Sequence, residues 1–185
     1  MLAARLLGSA TDPAATGAPD PASLRVVQSC PDCGGPHGRP VLYAGEDPLR
    51  LGASVSHARG LTVAVVAAGA SVGIDAERVD DGTARARDLD RLLAVASDPL
   101  LDWNRREAVL KADGRGLRVD PALVSIDRDE YATIEGGAAD GTNARYATCG
   151  LALGPEYSAA LAVRTDGERR PPQATTSPAA AAGSP

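Results

Sequence analysis

The stretch SVGIDAERV, residues 71–79, places two acidic side chains on a predicted β-strand. Apolar residues alternate there with Gly73, Asp75 and Glu77, which is the period-two pattern of a half-buried strand. Asp75 and Glu77 therefore project from one face of the strand. The rest of the fold is inferred outward from this strand and its two carboxylates.

A second stretch, WNRREAVLKADGRGL at residues 103–117, is typical of a helix. We expect Asp102 to cap a helix that runs through Trp103–Ala112. Glu107 and Lys111 are four residues apart in it, so they share one side of the helix. The helix thus carries a carboxylate and an ammonium group side by side.

Three carboxylates meet if the strand face opposes the helix face. Asp75, Glu77 and Glu107 would then supply the oxygen ligands that suit Mg²⁺, with substrate phosphates completing the shell and Lys111 beside them. This pattern indicates a metal-dependent enzyme acting on a phosphate ester or anhydride. Two plainer interpretations stay open: a solvated pair of acids on a strand, and an ordinary Glu107–Lys111 ion pair worth about 0.3–0.5 kcal/mol.

The composition is that of a globular protein with few aromatic residues. The 185 residues suffice for one domain with a sizeable core, and 44% of them are hydrophobic. One Trp, four Tyr and no Phe leave Ala, Val and Leu to build that core. The net charge of −5 argues against a general nucleic-acid binder, which has to neutralise many phosphates.

The charge is unevenly distributed along the chain. Between Arg105 and Arg118 there are five basic residues and two acidic ones. This local excess of positive charge indicates an anionic ligand or partner near the helix. A solvated helix face with compensating ion pairs explains it equally well.

No apolar run in the sequence reaches the length of a membrane span. The longest run, Leu61–Ala70, is interpreted as a core strand and turn. The start of the chain, MLAARLLGSATDP, has too short an apolar run for a secretory signal. We therefore expect a cytoplasmic protein without a membrane partner.

Turn-forming residues divide the chain into three regions. Residues 1–22 are interpreted as an N-terminal loop, residues 23–163 as the folded domain, and residues 164–185 as a disordered tail. A helix is expected over Ala84–Ala96, and Ala68–Ser71 is expected to be the turn of a hairpin between two of the strands. The predicted strands are Leu24–Gln28, Leu61–Ala67, Val72–Glu77, Leu123–Ile126, Tyr131–Ile134, Arg145–Leu153 and Tyr157–Val163. Helices between antiparallel strands indicate the α+β class.

Two segments of the domain resemble each other weakly. GLTVAVVAAG at 60–69 and EYSAALAVRTDG at 156–167 are each a strand of small apolar residues that ends at a glycine turn. Two similar α/β halves forming a pseudo-dimer would explain the repeat, with the active site at their junction. A chain that carries both halves is expected to act as a monomer.

Cysteine usage leaves two interpretations open. Three cysteines do not form a disulfide framework in a chain of this size. Cys30, Cys33 and His37 in SCPDCGGPHGRP could bind zinc, with Cys149 as a distant fourth ligand. A Pro- and Gly-rich turn with small buried thiols is the alternative.

The motifs together resemble the 4′-phosphopantetheinyl transferase superfamily, in its monomeric, surfactin-synthetase-activating type that serves secondary metabolite biosynthesis. The matching pieces occur in the family's order across residues 30–163. They are GRPVL (38–42), SVSH (54–57), VGIDAE (72–77), WNRREAVLKADGRGL (103–117) and LGPEYSAALAV (153–163). The resemblance assigns residues 23–163 to the transferase domain.

This resemblance implies a reaction and its participants. The enzyme would transfer the 4′-phosphopantetheine arm of coenzyme A to a serine of an apo acyl or peptidyl carrier protein, releasing adenosine 3′,5′-bisphosphate. Asp75, Glu77 and Glu107 match the family's Mg²⁺ ligands. Lys111 matches the lysine near the pyrophosphate, and Glu107 is the candidate general base, so that these two are the expected catalytic residues.

The resemblance also implies a set of residues that bind coenzyme A. Arg39 and His57 match positions that contact its phosphates, and Ser56 lies in the same element. Arg106 stands where the family often has lysine, which keeps the charge and changes the hydrogen-bond geometry. The expected coenzyme A-binding residues are Arg39, Ser56, His57, Asp75, Arg106 and Lys111.

Two other classes of function remain as alternatives. A catalytically degenerate homologue would act as a carrier-protein-binding module and would have lost metal ligands, whereas all three carboxylates are present here. A zinc-stabilised interaction domain would be centred on Cys30, Cys33 and His37 and would unfold with a strong chelator.

Overall fold

The computed structural model describes residues 20–80 and 98–165. In these ranges the chain forms ten β-strands and one α-helix, which confirms the α+β class. The strands are β1 (Leu24–Gln28), β2 (Pro40–Ala44), β3 (Asp47–Pro48), β4 (Leu51–Ala58), β5 (Leu61–Ala68), β6 (Val72–Arg78), β7 (Val124–Ile126), β8 (Tyr131–Ile134), β9 (Arg145–Gly150) and β10 (Tyr157–Thr165). The helix α1 spans Pro99–Asp113, and short 3-10 turns occupy Pro21–Ser23, Gly116–Arg118 and Pro121–Leu123.

The strands form three antiparallel sheets. A five-stranded sheet has the order β6-β10-β9-β8-β7, a three-stranded sheet has the order β1-β2-β3, and β4 pairs with β5 as a hairpin. Helix α1 packs across β6 and β10 of the large sheet. The strand with the two carboxylates is thus an edge strand of the sheet that the helix covers.

The start of α1 differs from the prediction. The helix begins at Pro99, and the cap is Asp98, whose Oδ1 accepts a hydrogen bond of 3.0 Å from the backbone N–H of Leu101. The prediction that Asp102 is the cap was wrong. It treated Pro99 as a break before the helix, whereas proline is well accommodated in the first turn of a helix. The helix ends at Gly114, whose φ of 94° lets its N–H reach the carbonyl of Leu110.

Helix α1 and strand β6 touch backbone to backbone. A Cβ added at Gly73 would overlap the carbonyl oxygen of Ala108 and lie 2.5 Å from the backbone nitrogen of Ala112. Directly across on β10, Ala162 pairs with Gly73 and is fully buried. Small residues on two adjacent strands therefore form the floor on which the helix lies.

The core lies between α1 and the large sheet and is made mostly of alanine, valine and leucine, as the composition predicts. Tyr146 of β9 is the largest fully buried side chain among the described residues. Trp103 is only partly buried, with its indole Nε1 enclosed and without a hydrogen-bond partner in the described ranges. The core residues are Ala108, Val109, Leu110, Ala112, Val119, Val124, Ala132, Ile134, Ala138, Ala144, Tyr146, Ala160 and Ala162.

The predicted hairpin between β5 and β6 was wrong. Strand β5 pairs with β4 over its whole length, and β6 pairs with β10. The chain leaves the hairpin at Ala70, whose carbonyl oxygen passes so close to Gly52 that a Cβ there would overlap it. Strand β6 instead meets β4 through side chains, because Ser54 Oγ accepts from Ile74 N at 3.1 Å and Ser56 Oγ accepts from Ala76 N at 3.2 Å.

The other predicted elements differ in extent. Strands β1 and β8 have the predicted ends, β7 begins one residue later after the 3-10 turn, and β9 stops at Gly150. Strand β10 continues to Thr165, two residues beyond the predicted end of the domain. Strands β2, β3 and β4 were not predicted. The predicted helix at 84–96, residues 1–19 and residues 166–185 lie outside the described residues.

The described residues do not establish the two similar halves that the sequence predicts. Residues 20–71 contain five strands and no α-helix in the part described, whereas α1 lies on the second part of the chain. None of the described helices combines the length and the apolar character needed to cross a bilayer.

We expect Gly73→Ala to lower the free energy of unfolding by about 1–3 kcal/mol, because the added methyl group would force the helix away from the strand. Urea unfolding followed by circular dichroism measures the change. Gly150→Ala is the matched control, since a Cβ there would lie 3.4 Å from the Leu101 side chain in ordinary contact, and we expect it to stay within about 0.5 kcal/mol of wild type. Equal unfolding midpoints for the two variants would contradict the backbone contact.

Candidate functional site

Asp75 is a buried carboxylate whose two oxygens have different surroundings. Its residue surface is only 2% exposed. Oδ1 accepts from Lys111 Nζ at 2.5 Å and from Ser56 Oγ at 2.9 Å. Oδ2 is buried and has no hydrogen-bond partner among residues 20–80 and 98–165. One oxygen is thus held in place while the other remains an uncompensated acceptor.

Lys111 connects the helix to strand β6. Besides Asp75, its ammonium donates to the carbonyl of Ile74 at 3.2 Å and to Ser56 Oγ at 3.4 Å, and it lies 3.9 Å from Glu107 Oε2. The backbone contact at Gly73 places Lys111 there, because Gly73 touches the same turn of the helix. Lys111 is thus in contact with Asp75 and close to Glu107.

Glu77 is the remaining predicted carboxylate. It shares the helix-facing side of β6 with Asp75 and pairs in register with Ser158 of β10. Asn104 of α1 donates to that serine hydroxyl at 3.0 Å, so the helix also covers this end of the strand. Asp75 and Glu77 lie on the side of β6 that faces α1, which carries Glu107, but the oxygens of the three carboxylates do not all lie within 4.8 Å of one another.

A cavity of about 700 Å³ opens beside this cluster. Its walls are the loop 28–40, strand β4, and the end of α1 with the turn that follows it. Four cationic side chains line it, Arg39, Lys111, Arg115 and Arg118, together with His37 and His57. A concave site with this many cations favours an anionic ligand.

Arg39 lies on the loop 28–40 and His57 lies on β4, and both line the cavity. Arg39 Nη2 donates to Ser71 Oγ at 3.3 Å, and its Nη1 lies against Gly114 at the C-terminal end of α1. A cation is stabilised there because the carbonyl end of a helix is partially negative. His57 is exposed, with Nδ1 3.0 Å from Thr62 Oγ1.

Arg115 is held at the cavity wall by a buried network. Its Nε pairs with Asp113 at 2.5 Å, and its Nη2 donates to the carbonyl of Gly137 at 2.7 Å. Asp113 also accepts from the Tyr146 hydroxyl at 2.9 Å and from the backbone N–H of Ala139 at 2.8 Å. Burial, and then the contact with Asp113, raise the pKa of Tyr146 above its usual value.

Three predicted coenzyme A-binding residues, Ser56, Asp75 and Arg106, are not among the described residues that line the cavity. Arg106 donates to Asp102 Oδ2 at 2.7 Å and to the carbonyls of Pro121 and Val124, so its guanidinium is engaged on another side of the helix. Ser56 is buried and donates a hydrogen bond to Asp75.

The loop at residues 29–38 holds a second cluster. Cys30, Cys33 and His37 place their ligand atoms within 4.8 Å of one another, with Cys33 Sγ and His37 Nε2 3.0 Å apart. Hydrogen bonds from the backbone N–H groups of Cys33 and Asp32 lower the pKa of the Cys30 thiol. Cys149 is not part of this group in the described chain; it lies on β9 opposite Leu161.

Sequence reasoning did not assign a role to Arg115 or Arg118. Both belong to the basic stretch after α1, and that excess of positive charge was the available signal. Their direction depends on Gly114 and the 3-10 turn after the helix, where Arg118 donates to the carbonyls of Gly114 and Arg115.

Neither a scan against known protein families nor a search of curated proteins finds a match for this chain.

We expect Ser56→Ala to destabilise the fold more than the neighbouring Ser54→Ala. Both hydroxyls accept from a backbone N–H of β6, but only Ser56 also donates to Asp75. Loss of Ser56 should cost about 1–3 kcal/mol, because a buried carboxylate loses a donor. Urea unfolding of the two variants tests this, and a larger loss for Ser54→Ala would contradict the assigned network.

The raised pKa of Tyr146 predicts a loss of stability at alkaline pH. A group with a raised folded-state pKa stabilises the folded chain below its unfolded pKa of about 10, and this contribution is lost as the pH rises above it. We expect the urea midpoint of wild type to fall more than that of Tyr146→Phe between about pH 9 and about pH 11. Parallel curves for the two proteins would refute the assignment.

Proposed function

We propose that this protein transfers the 4′-phosphopantetheine arm of coenzyme A to a serine of an apo acyl or peptidyl carrier protein. The observation that carries the proposal is the Asp75–Lys111 pair beside a cavity lined by three arginines, Lys111 and two histidines. Coenzyme A has a pyrophosphate and a 3′-phosphate, so a cavity of about 700 Å³ with several separate cations suits its charge and size.

A buried carboxylate oxygen that the described residues leave without a hydrogen bond supports binding of a divalent cation at this site. Asp75 Oδ2 is a buried carboxylate oxygen without a hydrogen-bond partner among the described residues, and a bound cation would compensate it. Asp75, Glu77 and Glu107 would hold Mg²⁺. The ion would neutralise charge on the pyrophosphate and on the departing bisphosphate.

The chain's own residues would orient the phosphates and handle the proton. Lys111, fixed by Asp75 and the carbonyl of Ile74, would stabilise charge on the pyrophosphate. Glu107 would accept the proton of the attacking serine, whose oxygen forms a bond to the β-phosphorus. The bond from that phosphorus to the bridging oxygen breaks, and adenosine 3′,5′-bisphosphate leaves with the electron pair.

The surroundings of the site are consistent with the wider proposal. We infer that the two parts of the chain act as halves of a pseudo-dimer within one monomer, with the site at their junction, since β4 supplies Ser54 and Ser56 to strand β6. Basic residues after the helix would attract an acidic carrier protein. The reaction would take place in the cytoplasm, and primed carriers would serve secondary metabolite biosynthesis.

The test is mass spectrometry of a panel of apo acyl and peptidyl carrier proteins incubated with this protein, coenzyme A and Mg²⁺. We expect one carrier to gain a phosphopantetheine arm on serine. Glu107→Gln should reduce the rate at least about a hundredfold, which is typical for loss of a general base. Glu135→Gln is the matched control, because that carboxylate is exposed and does not line the cavity in the described chain.

Calorimetry, with coenzyme A and with the carrier proteins as ligands, shows whether a protein without transfer activity still binds either partner. Transfer that persists in Glu107→Gln or in excess chelator would overturn the mechanism. No transfer to any carrier by a folded protein would overturn the proposed enzyme. If such a protein still bound carriers, the carrier-binding module would become the better interpretation.

A further inference from the structure

We propose that Cys30, Cys33 and His37 bind a zinc ion on the wall of the cavity. The three ligand atoms already lie within 4.8 Å of one another. Two sulfur atoms and one imidazole nitrogen are the donors that zinc prefers in proteins. This site is separate from the carboxylate cluster and is chemically unsuited to Mg²⁺, which prefers oxygen ligands.

The backbone of the loop is folded so that the ligands converge. The N–H of Gly34 donates to the carbonyl of Cys30 at 2.8 Å, and the N–H of Cys30 donates to the carbonyl of Gly35 at 2.8 Å. The N–H of Gly35 also lies 3.4 Å from Cys33 Sγ, so a backbone dipole points at this thiol. These local hydrogen bonds hold the two sulfurs on one side of the turn.

Gly35 provides the space that the cluster needs. A Cβ at this position would lie 3.0 Å from His37 Nε2 and 3.2 Å from Cys33 Sγ. These are two of the three proposed ligand atoms, and the methyl group of an alanine would press on both. The absence of a side chain at Gly35 thus keeps the ligand atoms free to approach a common point.

Burial does not explain these side chains. Cys33 and His37 are exposed and Cys30 is only half-buried, so the interpretation as small thiols packed in a core turn does not hold. Exposed thiols beside an imidazole are accessible to a metal ion. Zinc would link Cys30, Cys33 and His37 and so cross-link the described loop at residues 29–38, which has only short turns and no helix or strand of its own.

The position of the loop indicates what the zinc would do. Cys30 and His37 line the same cavity as Arg39, and Arg118 of the opposite wall pairs with Asp32 at 3.5 Å. In the described ranges no further Cys, His, Asp or Glu completes the group. Water would therefore take the fourth position, and the ion would brace the loop that carries Arg39.

The experiment measures metal directly in the full-length protein. Protein purified in a phosphine reductant is saturated with zinc, passed through a desalting column and analysed for metal by mass spectrometry. We expect one zinc per chain, and Co²⁺ in its place should give the sulfur-to-cobalt charge-transfer band and the visible bands of a tetrahedral site. Cys149→Ser is the control, because this exposed thiol lies outside the cluster, and it should retain the full equivalent.

Two kinds of variant test the ligand assignment. Cys33→Ser and His37→Gln should lose stoichiometric zinc, and Gly35→Ala, which removes no ligand, should weaken zinc binding about tenfold. Less than one tenth of an equivalent in zinc-saturated wild type without a cobalt spectrum would overturn the proposal, and so would full retention by Cys33→Ser. These measurements use neither coenzyme A nor a carrier protein, so their failure leaves the proposed transferase reaction unaffected.

Discussion

The contact between the backbone of β6 at Gly73 and that of α1 is the constraint on which the site depends. It brings the helix as close to the sheet as two backbones can come, and so sets which helical turn lies over the strand. On the strand, Asp75 follows Gly73 by two residues. On the helix, Gly73 touches Ala112, and Lys111 is the residue before it. Any residue larger than glycine at position 73 would move the Lys111 ammonium group away from the Asp75 carboxylate, even though residue 73 touches neither group.

The same helix organises the cavity through its C-terminal end. Gly114 ends α1 in a left-handed conformation, and the chain then turns back so that Arg115 and Arg118 reach the cavity wall. Arg39, from a loop far away in sequence, lies against the same helix end. One face of the helix therefore contributes Glu107 and Lys111 to the site, while its C-terminal end gathers the positive charge.

The sequence predicted the periodic features well and the non-local ones poorly. The alternation around Asp75 was sufficient to place it on one strand face with Glu77, and the four-residue spacing was sufficient to place Glu107 and Lys111 on one helix face. Each placement follows from the geometry of one element. The predicted pairing of β5 with β6 was wrong. The observed pairing depends on where the chain passes Gly52, which no local pattern encodes. Arg106 was misplaced for a similar reason: the carbonyls that engage it lie 15 and 18 residues further along the chain.

Trp103 is the single tryptophan of the chain and lies in α1, one turn before Glu107. Its indole nitrogen is enclosed without a hydrogen-bond partner in the described residues, so unfolding around the helix would expose it to water. The emission of this one fluorophore therefore reports the surroundings of α1, with no second tryptophan to average over. A core built mostly from alanine, valine and leucine thus contains its own optical probe, on the helix that carries Glu107 and Lys111.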